Sequence, residues 1–381
     1  MNPKKFTRSV LLFSIGSLFF YGFAALADAG VDIEIVRTPD DGIQPRAVVD
    51  NQGTIHLIYY KKASENGDLF YITRQPDKPS WTRPIRVNTT AKSVVPNGSI
   101  GMAQLALGKQ GRVHVTWFDM HAAKFWYTRL NDDKTAFEAQ RNLVTRFNKG
   151  IEASGALAAD GKGNVYMVWH AGSSSEAKRR VYVTHSKDDG KSFSPERRAS
   201  PGDTGACGCC GLSAITDREG TLYVSYRAAG QNVHRNMTLL ESSDSGQSFT
   251  EQTIHRWKLN ACPVTTTTFA QQPNSGVIVA WETEGRSYLA DIDKLSIASS
   301  VGPAPPTGRQ KNPSVAVNSD GITLITWGLG RGYASGGRLH WQVFGADGKP
   351  TNQKGKVEGD MPLLSVAAAV SSPNGRFVII H

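Results

Sequence analysis

One pattern recurs seven times along this chain of 381 residues. Each copy has a strand of small residues, a turn ending in glycine, and an apolar strand that usually closes on an aromatic residue. The third copy, GALAADGKGNVYMVW, occupies residues 155–169. Apolar and polar positions alternate around each turn, which is typical of a β-hairpin. The turn glycines are Gly53, Gly111, Gly163, Gly220, Gly276, Gly321 and Gly375.

The repeat predicts an all-β fold, a β-propeller of four-stranded blades. Two further strand patterns follow most copies, and four strands at a period near fifty residues are typical of propeller blades. We expect seven blades, with six as the alternative if the copy at the short interval from Gly276 to Gly321 is an insertion. The last copy stops after two strands at His381, so we expect the lone strand pattern at residues 31–36 to close the ring.

The N-terminal segment, positions 1–27, has the pattern of a secretory signal peptide. Lys4, Lys5 and Arg8 precede an apolar run at residues 10–27, which ends in small residues. We expect cleavage, with residues 28–381 forming a single propeller domain in the periplasm or outside the cell. The alternative is an uncleaved membrane anchor.

Charge restricts the partners that we expect. The net charge of +10 falls to +7 without the signal peptide, and the mature chain has no basic tract. Nucleic acid is therefore not expected. We expect a monomer that binds a small ligand, a metal or a glycan on one face of the ring, with a protein partner as a further possibility.

Two octapeptides fit the pattern S-x-D-x-G-x-S-F. They follow consecutive copies of the repeat and are defined by Ser186, Asp188, Gly190 and Phe193, and by Ser242, Asp244, Gly246 and Phe249. In such a turn the aspartate accepts hydrogen bonds from backbone amides and the glycine takes a positive φ. The chain thus resembles the sialidase-like superfamily of propellers, whose repeats are known as Asp-boxes or BNR repeats.

The resemblance implies a glycoside hydrolase activity with three arginines, a tyrosine nucleophile assisted by a glutamate, and an aspartate acid/base. The residues on the matching face are Arg46, Arg227 and Arg309 for the arginines, Glu282 and Asp119 for proton transfer, and Tyr226 or Tyr333 as nucleophile. The Arg-Ile-Pro signature of the family is absent, because Arg46 is followed by Ala47 and Val48. The sequence therefore does not assign the catalytic residues.

All four cysteines lie in loops that enter an innermost strand. Cys207, Cys209 and Cys210 precede the fourth copy of the repeat, and Cys262 precedes the fifth. Cys207 precedes Gly220 by almost the same interval as Cys262 precedes Gly276, so they occupy equivalent loops of adjacent blades. We expect the four sulfurs in one small region, near His234 and Met237 of the next loop.

Three kinds of chemistry suit such a cluster. Thiolates with a nearby thioether and imidazole favour a soft metal, Cu(I) first and zinc second. In an oxidising compartment the cysteines can instead form structural disulfides, with Cys207 and Cys262 joining two blades. A redox-active dithiol is the third interpretation. A propeller without catalysis, which presents a platform to a glycan or a protein, also fits the sequence.

Overall fold

This computed structural model describes Met1 and residues 30–63, 66–95, 102–153, 155–295, 308–332 and 335–381. Most of the predicted signal peptide and Tyr333 lie outside the described residues. Residues 31–381 form one compact unit. In the described part of the chain, no helix combines the length and the apolar character needed to cross a bilayer.

Seven sheets follow one another along the chain, with antiparallel pairing except for one parallel pair in blade 7, so the prediction of seven blades is confirmed. Blade 1 contains β2 (Ile43–Val49), β3 (Ile55–Lys62), β4 (Gly67–Arg74) and β5 (Ile85–Arg86). Blade 2 contains β6 (Gln104–Leu107), β7 (Val113–Asp119), β8 (Lys124–Arg129) and β9 (Arg141–Asn142). Blade 3 contains β10 (Ala156–Ala159), β11 (Val165–Ala171), β12 (Arg180–Ser186) and β13 (Arg197–Arg198).

The next three blades repeat this order. Blade 4 contains β14 (Ser213–Thr216), β15 (Leu222–Arg227), β16 (Met237–Ser242) and β17 (Thr250–His255). Blade 5 has three strands in the described residues, namely β18 (Thr267–Gln271), β19 (Val277–Thr283) and β20 (Arg286–Asp291). Blade 6 contains β21 (Gln310–Val317), β22 (Thr323–Leu329), β23 (Arg338–Phe344) and β24 (Pro350–Lys356).

Blade 7 joins the two ends of the described ring. It consists of β25 (Ala368–Ser371), β26 (Phe377–Ile380) and the N-terminal strand β1 (Ile33–Val36). β1 pairs in parallel with β26, with Ile33 opposite Phe377 and Val36 opposite Ile380. Closure of the ring by the N-terminal strand, as the sequence predicted, is therefore confirmed.

Hydrophobic clusters between neighbouring blades form the core. Trp169 at the end of a second strand is fully buried in a cluster that also contains Phe125 and Tyr127 of the preceding blade. Small residues of the innermost strands, such as Ala158 and Ala316, line a central channel of about 460 Å³. Bulkier side chains from seven converging strands would collide there, which explains the small residues that begin each repeat.

Both octapeptides form the turn between a third and a fourth strand. Asp188 Oδ1 accepts hydrogen bonds from Ser186 Oγ at 2.7 Å and from Ser192 N at 2.8 Å. Gly190 has a φ of 80°, which favours glycine at this position. Phe193 packs edge-on against Tyr127 of the preceding blade, with 5.0 Å between ring centroids. The turn thus also fixes the contact between two blades.

Candidate functional site

Two loops of adjacent blades bring the four cysteines together. The loop with Cys207 to Cys210 joins β13 to β14, and the loop with Cys262 joins β17 to β18. The backbone N–H of Gly211 donates to the carbonyl of Thr265 at 3.0 Å, which ties the first loop to the second. The four sulfurs all lie within 4.8 Å of one another, although Cys262 is distant from the other three cysteines in the sequence.

The four sulfurs form one disulfide and one thiol pair. Cys209 and Cys262 are disulfide-bonded across the two blades, with 6.6 Å between their Cα atoms. Cys207 and Cys210 are free thiols, and their Sγ atoms are 2.9 Å apart. Cys207 Sγ also lies 3.5 Å from Cys209 Sγ, so the thiol pair touches the disulfide.

The predicted disulfide between Cys207 and Cys262 is wrong, because Cys209 takes the place of Cys207. The N–H of Cys207 donates to the carbonyl of Arg227 at 2.8 Å, which holds Cys207 beneath the loop against the end of β15. Cys207 is consequently buried, whereas Cys209 is half-buried and Cys262 is exposed. The loop turns between Cys207 and Cys210, and this turn directs Cys209 towards the neighbouring blade.

Cys207 and Cys210 behave as one titrating pair. The hydrogen bond with Cys210, together with burial, raises the pKa of Cys207 well above its ordinary value. Burial also raises the pKa of Cys210, but the hydrogen bond with Cys207, the charge of Arg227 and hydrogen bonds from Thr265 outweigh it and lower the pKa to about 7. The surroundings therefore favour the thiolate at Cys210 over the thiolate at Cys207.

A network of charged side chains holds the cysteine loop in place. Glu176 accepts the N–H of Gly208 and a hydrogen bond of 2.6 Å from Arg235 Nη1. Burial raises the pKa of Glu176, but these two hydrogen bonds outweigh it and hold the pKa below its ordinary value. The guanidinium of Arg179 packs against Gly208 and donates to Glu152 Oε1 at 2.6 Å.

His170 at the end of β11 lies against the same loop. Its side chain is buried, and its Nε2 has no hydrogen-bond partner among the described residues. Burial and the charge of Arg179 lower the pKa of His170 to about 4, although the backbone of Gly208 favours the protonated form. The imidazole is therefore neutral near pH 7. The sequence did not indicate that His170 lies beside the cysteines, because a single histidine at a strand end carries no signal of its neighbours.

A polar groove of about 630 Å³ opens over the disulfide. Cys209 and Cys262 form part of its wall, with two ion pairs beside them. Those pairs are Arg235 with Glu176 and Arg179 with Glu152. The groove gives solvent access to the disulfide but not to the thiol pair, whose cysteines are each 2% exposed.

His234 lies outside the sulfur cluster, and Met237 is buried in the core. In the described part of the chain, the only group of three or more close donor atoms from His, Cys, Asp or Glu is the four cysteines, so His234 is not part of it. Met237 is fully buried in an apolar cluster with Leu239 and Trp281. Its part as a metal ligand stays a prediction, and the structure gives it a packing role.

Arg227 and Glu282, two of the hydrolase candidates, lie close together beneath the cysteines. Arg227 donates to the carbonyls of Arg235 and Glu282 and to the hydroxyls of Thr265 and Thr283. Glu282 is fully buried, accepts from Gly285 N at 2.8 Å and pairs with Lys311 at 3.1 Å. Both side chains connect neighbouring blades.

The remaining hydrolase candidates are spread over other parts of the ring. Arg46 lines the channel, and burial lowers its pKa to about 10. Arg309 is exposed, and Asp119 caps its own turn by accepting from His121 N and Ala122 N. The hydroxyl of Tyr226 is hydrogen-bonded to Glu251 at 3.0 Å, and burial raises its pKa. A catalytic role for any of them stays a prediction.

The fold is shared with solved propellers of diverse activity. An α-L-arabinanase from Penicillium chrysogenum is 14% identical with a TM-score of 0.54, and the match covers 83% of this chain and 98% of that one. A fucose-specific lectin from Aleuria aurantia is 13% identical with a TM-score of 0.51, covering 84% and 96%. A Dyadobacter fermentans protein of unknown function is 14% identical with a TM-score of 0.53, covering 78% and 93%. No family model and no curated protein matches the sequence.

These similarities define the class of protein by its fold. The seven-bladed ring has the β-propeller fold that the sequence indicated, and it shares this fold with the solved structures above. At identities of 12–14% the likeness extends to the fold alone. Since propellers of this shape include both enzymes and lectins, function has to be argued from the site.

Proposed function

We propose that the protein binds a soft metal ion, Cu(I) in preference to zinc, through the sulfurs of Cys207, Cys209, Cys210 and Cys262. The observation that carries the proposal is the convergence of four sulfurs from two blades within 4.8 Å of one another. Four sulfurs at about 2.3 Å from a tetrahedral metal ion are about 3.8 Å apart. The separation of 3.5 Å between Cys207 and Cys209 lies close to this value. The 2.9 Å between Cys207 and Cys210 is shorter, and the bonded sulfurs of Cys209 and Cys262 have to separate before all four can bind one ion.

The chemistry of the donors favours copper over harder cations. Thiolates are the ligands that Cu(I) and zinc prefer, whereas magnesium and calcium prefer oxygen. Arg227 supplies a buried positive charge beside the thiol pair, which favours the thiolate form of Cys210. His170 packs a neutral imidazole against the loop but is not one of the clustered donors.

The disulfide makes metal binding depend on redox state. With Cys209 and Cys262 joined, only two thiols remain for a metal ion. Reduction of this one bond restores four donors, and because Cys262 is exposed an external reductant can reach it. We further propose that the protein is exported by the predicted signal peptide and handles copper in the periplasm or outside the cell.

Titration of Cu(I) into the reduced, metal-free protein tests the proposal. We expect one Cu(I) per chain in competition with a chromogenic Cu(I) chelator, and about a tenfold or greater loss of affinity in Cys210→Ser. Leu239→Met, a volume-conserving change in the buried core of the same blade, is the control, and we expect it to keep the affinity of the unmodified protein. Binding that is equally tight in Cys210→Ser, or no binding by the reduced protein, would contradict the proposal.

The glycoside hydrolase is the weaker alternative. Its candidates Arg227, Glu282 and Tyr226 make hydrogen bonds that connect strands and blades, and each is buried. Removal of a buried charged partner of this kind destabilises a protein whether or not it is catalytic. Hydrolysis of a fluorogenic sialoside by the purified protein, abolished in Arg46→Ala, would favour the hydrolase.

A further inference from the structure

We propose that the four cysteines form an internal thiol–disulfide relay, in which Cys207 transfers the disulfide from the exposed pair Cys209–Cys262 to the buried pair Cys207–Cys210. This activity goes beyond metal binding and needs no metal ion. It rests on the order in which the sulfurs are placed. Cys209 of the exposed disulfide lies next to Cys207, the attacking sulfur, and Cys207 lies next to Cys210, the sulfur that completes the exchange.

The distances define the sequence of attack. Cys207 Sγ is 3.5 Å from Cys209 Sγ, close to van der Waals contact between two sulfurs. Cys210 Sγ lies 2.9 Å from Cys207 Sγ, so a second attack can follow the first. Cys207 and Cys210 have the C-x-x-C spacing of many dithiols that exchange disulfides.

The exchange balances without an external oxidant. Cys207 passes its proton to the Cys210 thiolate across their contact of 2.9 Å and attacks Cys209 Sγ; the bond between Cys207 and Cys209 forms, and the bond between Cys209 and Cys262 breaks. Cys262 leaves as a thiolate and takes up a proton from solvent. Cys210, once more as its thiolate, then attacks Cys207 Sγ and releases Cys209 as a thiolate, which is protonated in turn. The exposed pair gains two protons, and the number of disulfides stays at one.

Accessibility gives the relay a direction. The groove exposes Cys262 and part of Cys209, whereas the buried pair is shielded from solvent. A small disulfide that enters the groove can oxidise the released thiols of Cys209 and Cys262 and leave as two thiols. The protein would thereby store a second disulfide in the buried pair. The relay thus links the outer surface of the propeller to a protected dithiol.

Trypsin separates the two halves of the cluster, which makes the exchange measurable. Residues 199–218 carry Cys207, Cys209 and Cys210, and residues 259–286 carry Cys262, each as one tryptic peptide. A disulfide from Cys209 to Cys262 links the two peptides. A disulfide between Cys207 and Cys210 leaves the two peptides separate. It makes the first peptide lighter by two hydrogen atoms than the same peptide with all of its thiols reduced.

The experiment starts from the protein with its disulfide at Cys209–Cys262. A chelator removes copper and zinc, and N-ethylmaleimide alkylates each thiol that the exchange releases. We expect Cys262 to be labelled progressively without added thiol, while the linked peptides disappear. In Cys207→Ser we expect labelling of Cys262 to slow by about tenfold or more. In Cys210→Ser we expect Cys262 to be labelled and exchange to stop at Cys207–Cys209.

Two results would overturn the relay. One is an absence of Cys262 labelling in the unmodified protein, and the other is equal labelling in Cys207→Ser. Unchanged urea midpoints of both variants would show that the propeller is folded. Because a chelator is present throughout, the labelling of Cys262 tests the relay without any metal ion. A failure of Cu(I) binding therefore leaves the labelling result intact, and an absence of labelling leaves the Cu(I) titration intact.

Discussion

At the scale of single residues, Gly208 fixes the shape of the cysteine loop. A Cβ at this position would overlap the buried guanidinium of Arg179, and it would lie 2.8 Å from Glu152 Oε2. The N–H of Gly208 also donates to Glu176, so the backbone has no freedom to move away. A side chain here would displace the loop, and the displacement would reach Cys207 and Cys209 on either side.

Gly208→Ala should therefore destabilise the protein and weaken Cu(I) binding together. Overpacking of this kind costs about 1–3 kcal/mol, and we expect that loss in the free energy of unfolding from urea melts. Gly332→Ala is the matched control, because a Cβ there would meet no atom of the described residues within 4 Å. An alanine at 208 that leaves both urea stability and Cu(I) affinity unchanged would show that the packing against Arg179 does not shape the site.

The pairing of the cysteines marks the limit of sequence reasoning at this scale. The distance from each cysteine to its turn glycine placed Cys207 and Cys262 in equivalent loops, and the two loops do meet. Which of Cys207 and Cys209 faces Cys262 depends on a turn inside the loop and on the hydrogen bond from Cys207 N to Arg227 O. Neither is encoded in strand periodicity. The neighbours Glu176, Arg179 and His170 were missed for the same reason.

At the scale of elements, the turn at Asp189 joins blade 3 to blade 2. Asp189 accepts from Lys109 N at 2.9 Å, from Arg112 Nε at 2.7 Å and from His114 Nε2 at 3.2 Å. Although burial raises the pKa of Asp189, hydrogen bonds from His114 and Lys109 and the interaction with Arg112 hold it well below its ordinary value. Burial lowers the pKa of His114, which is therefore neutral near pH 7.

Asp189→Asn should reduce stability at pH 5 by about 1–3 kcal/mol, because hydrogen bonds to a charged acceptor are lost. Since folding lowers the pKa of Asp189, its contribution is complete above the unfolded value of about 3.9 and is lost as the pH falls below it. The difference in the free energy of unfolding between the variant and the unmodified protein, measured in urea melts, should consequently be smaller at pH 3 than at pH 5. Asp133→Asn, which changes an exposed aspartate of blade 2, is the control. A loss of stability in Asp189→Asn that is the same at pH 5 and pH 3 would contradict the lowered pKa of Asp189.

At the scale of the whole molecule, the repeat period predicted seven blades and the closing strand because both follow from counting strands. The number of strands did not predict which contacts hold β1 in the ring. Arg74 of blade 1 makes a bidentate pair with Glu34 of β1, at 2.7 and 3.0 Å. Ile33 packs against the cluster of blades 6 and 7, and Val36 packs against the cluster of blades 7 and 1. β1 thus serves as the third strand of its own blade and as a contact to the next.

Removal of β1 should open the ring and leave β26 as an unpaired edge. We compare a chain of residues 31–381 with one of residues 37–381. We expect the shorter chain to lose about 2 kcal/mol or more in urea melts, because apolar burial at residues 33–36 is lost. Exposed edge strands pair with other chains, so the shorter chain should also associate as its concentration rises in sedimentation experiments. Glu34→Gln in the longer chain removes only the charge of a half-buried glutamate, which pairs with Arg74 and Arg376, and should cost about 1 kcal/mol or less. If residues 37–381 keep the same urea midpoint and stay monomeric, the ring is closed by blade packing alone and β1 only covers its seam.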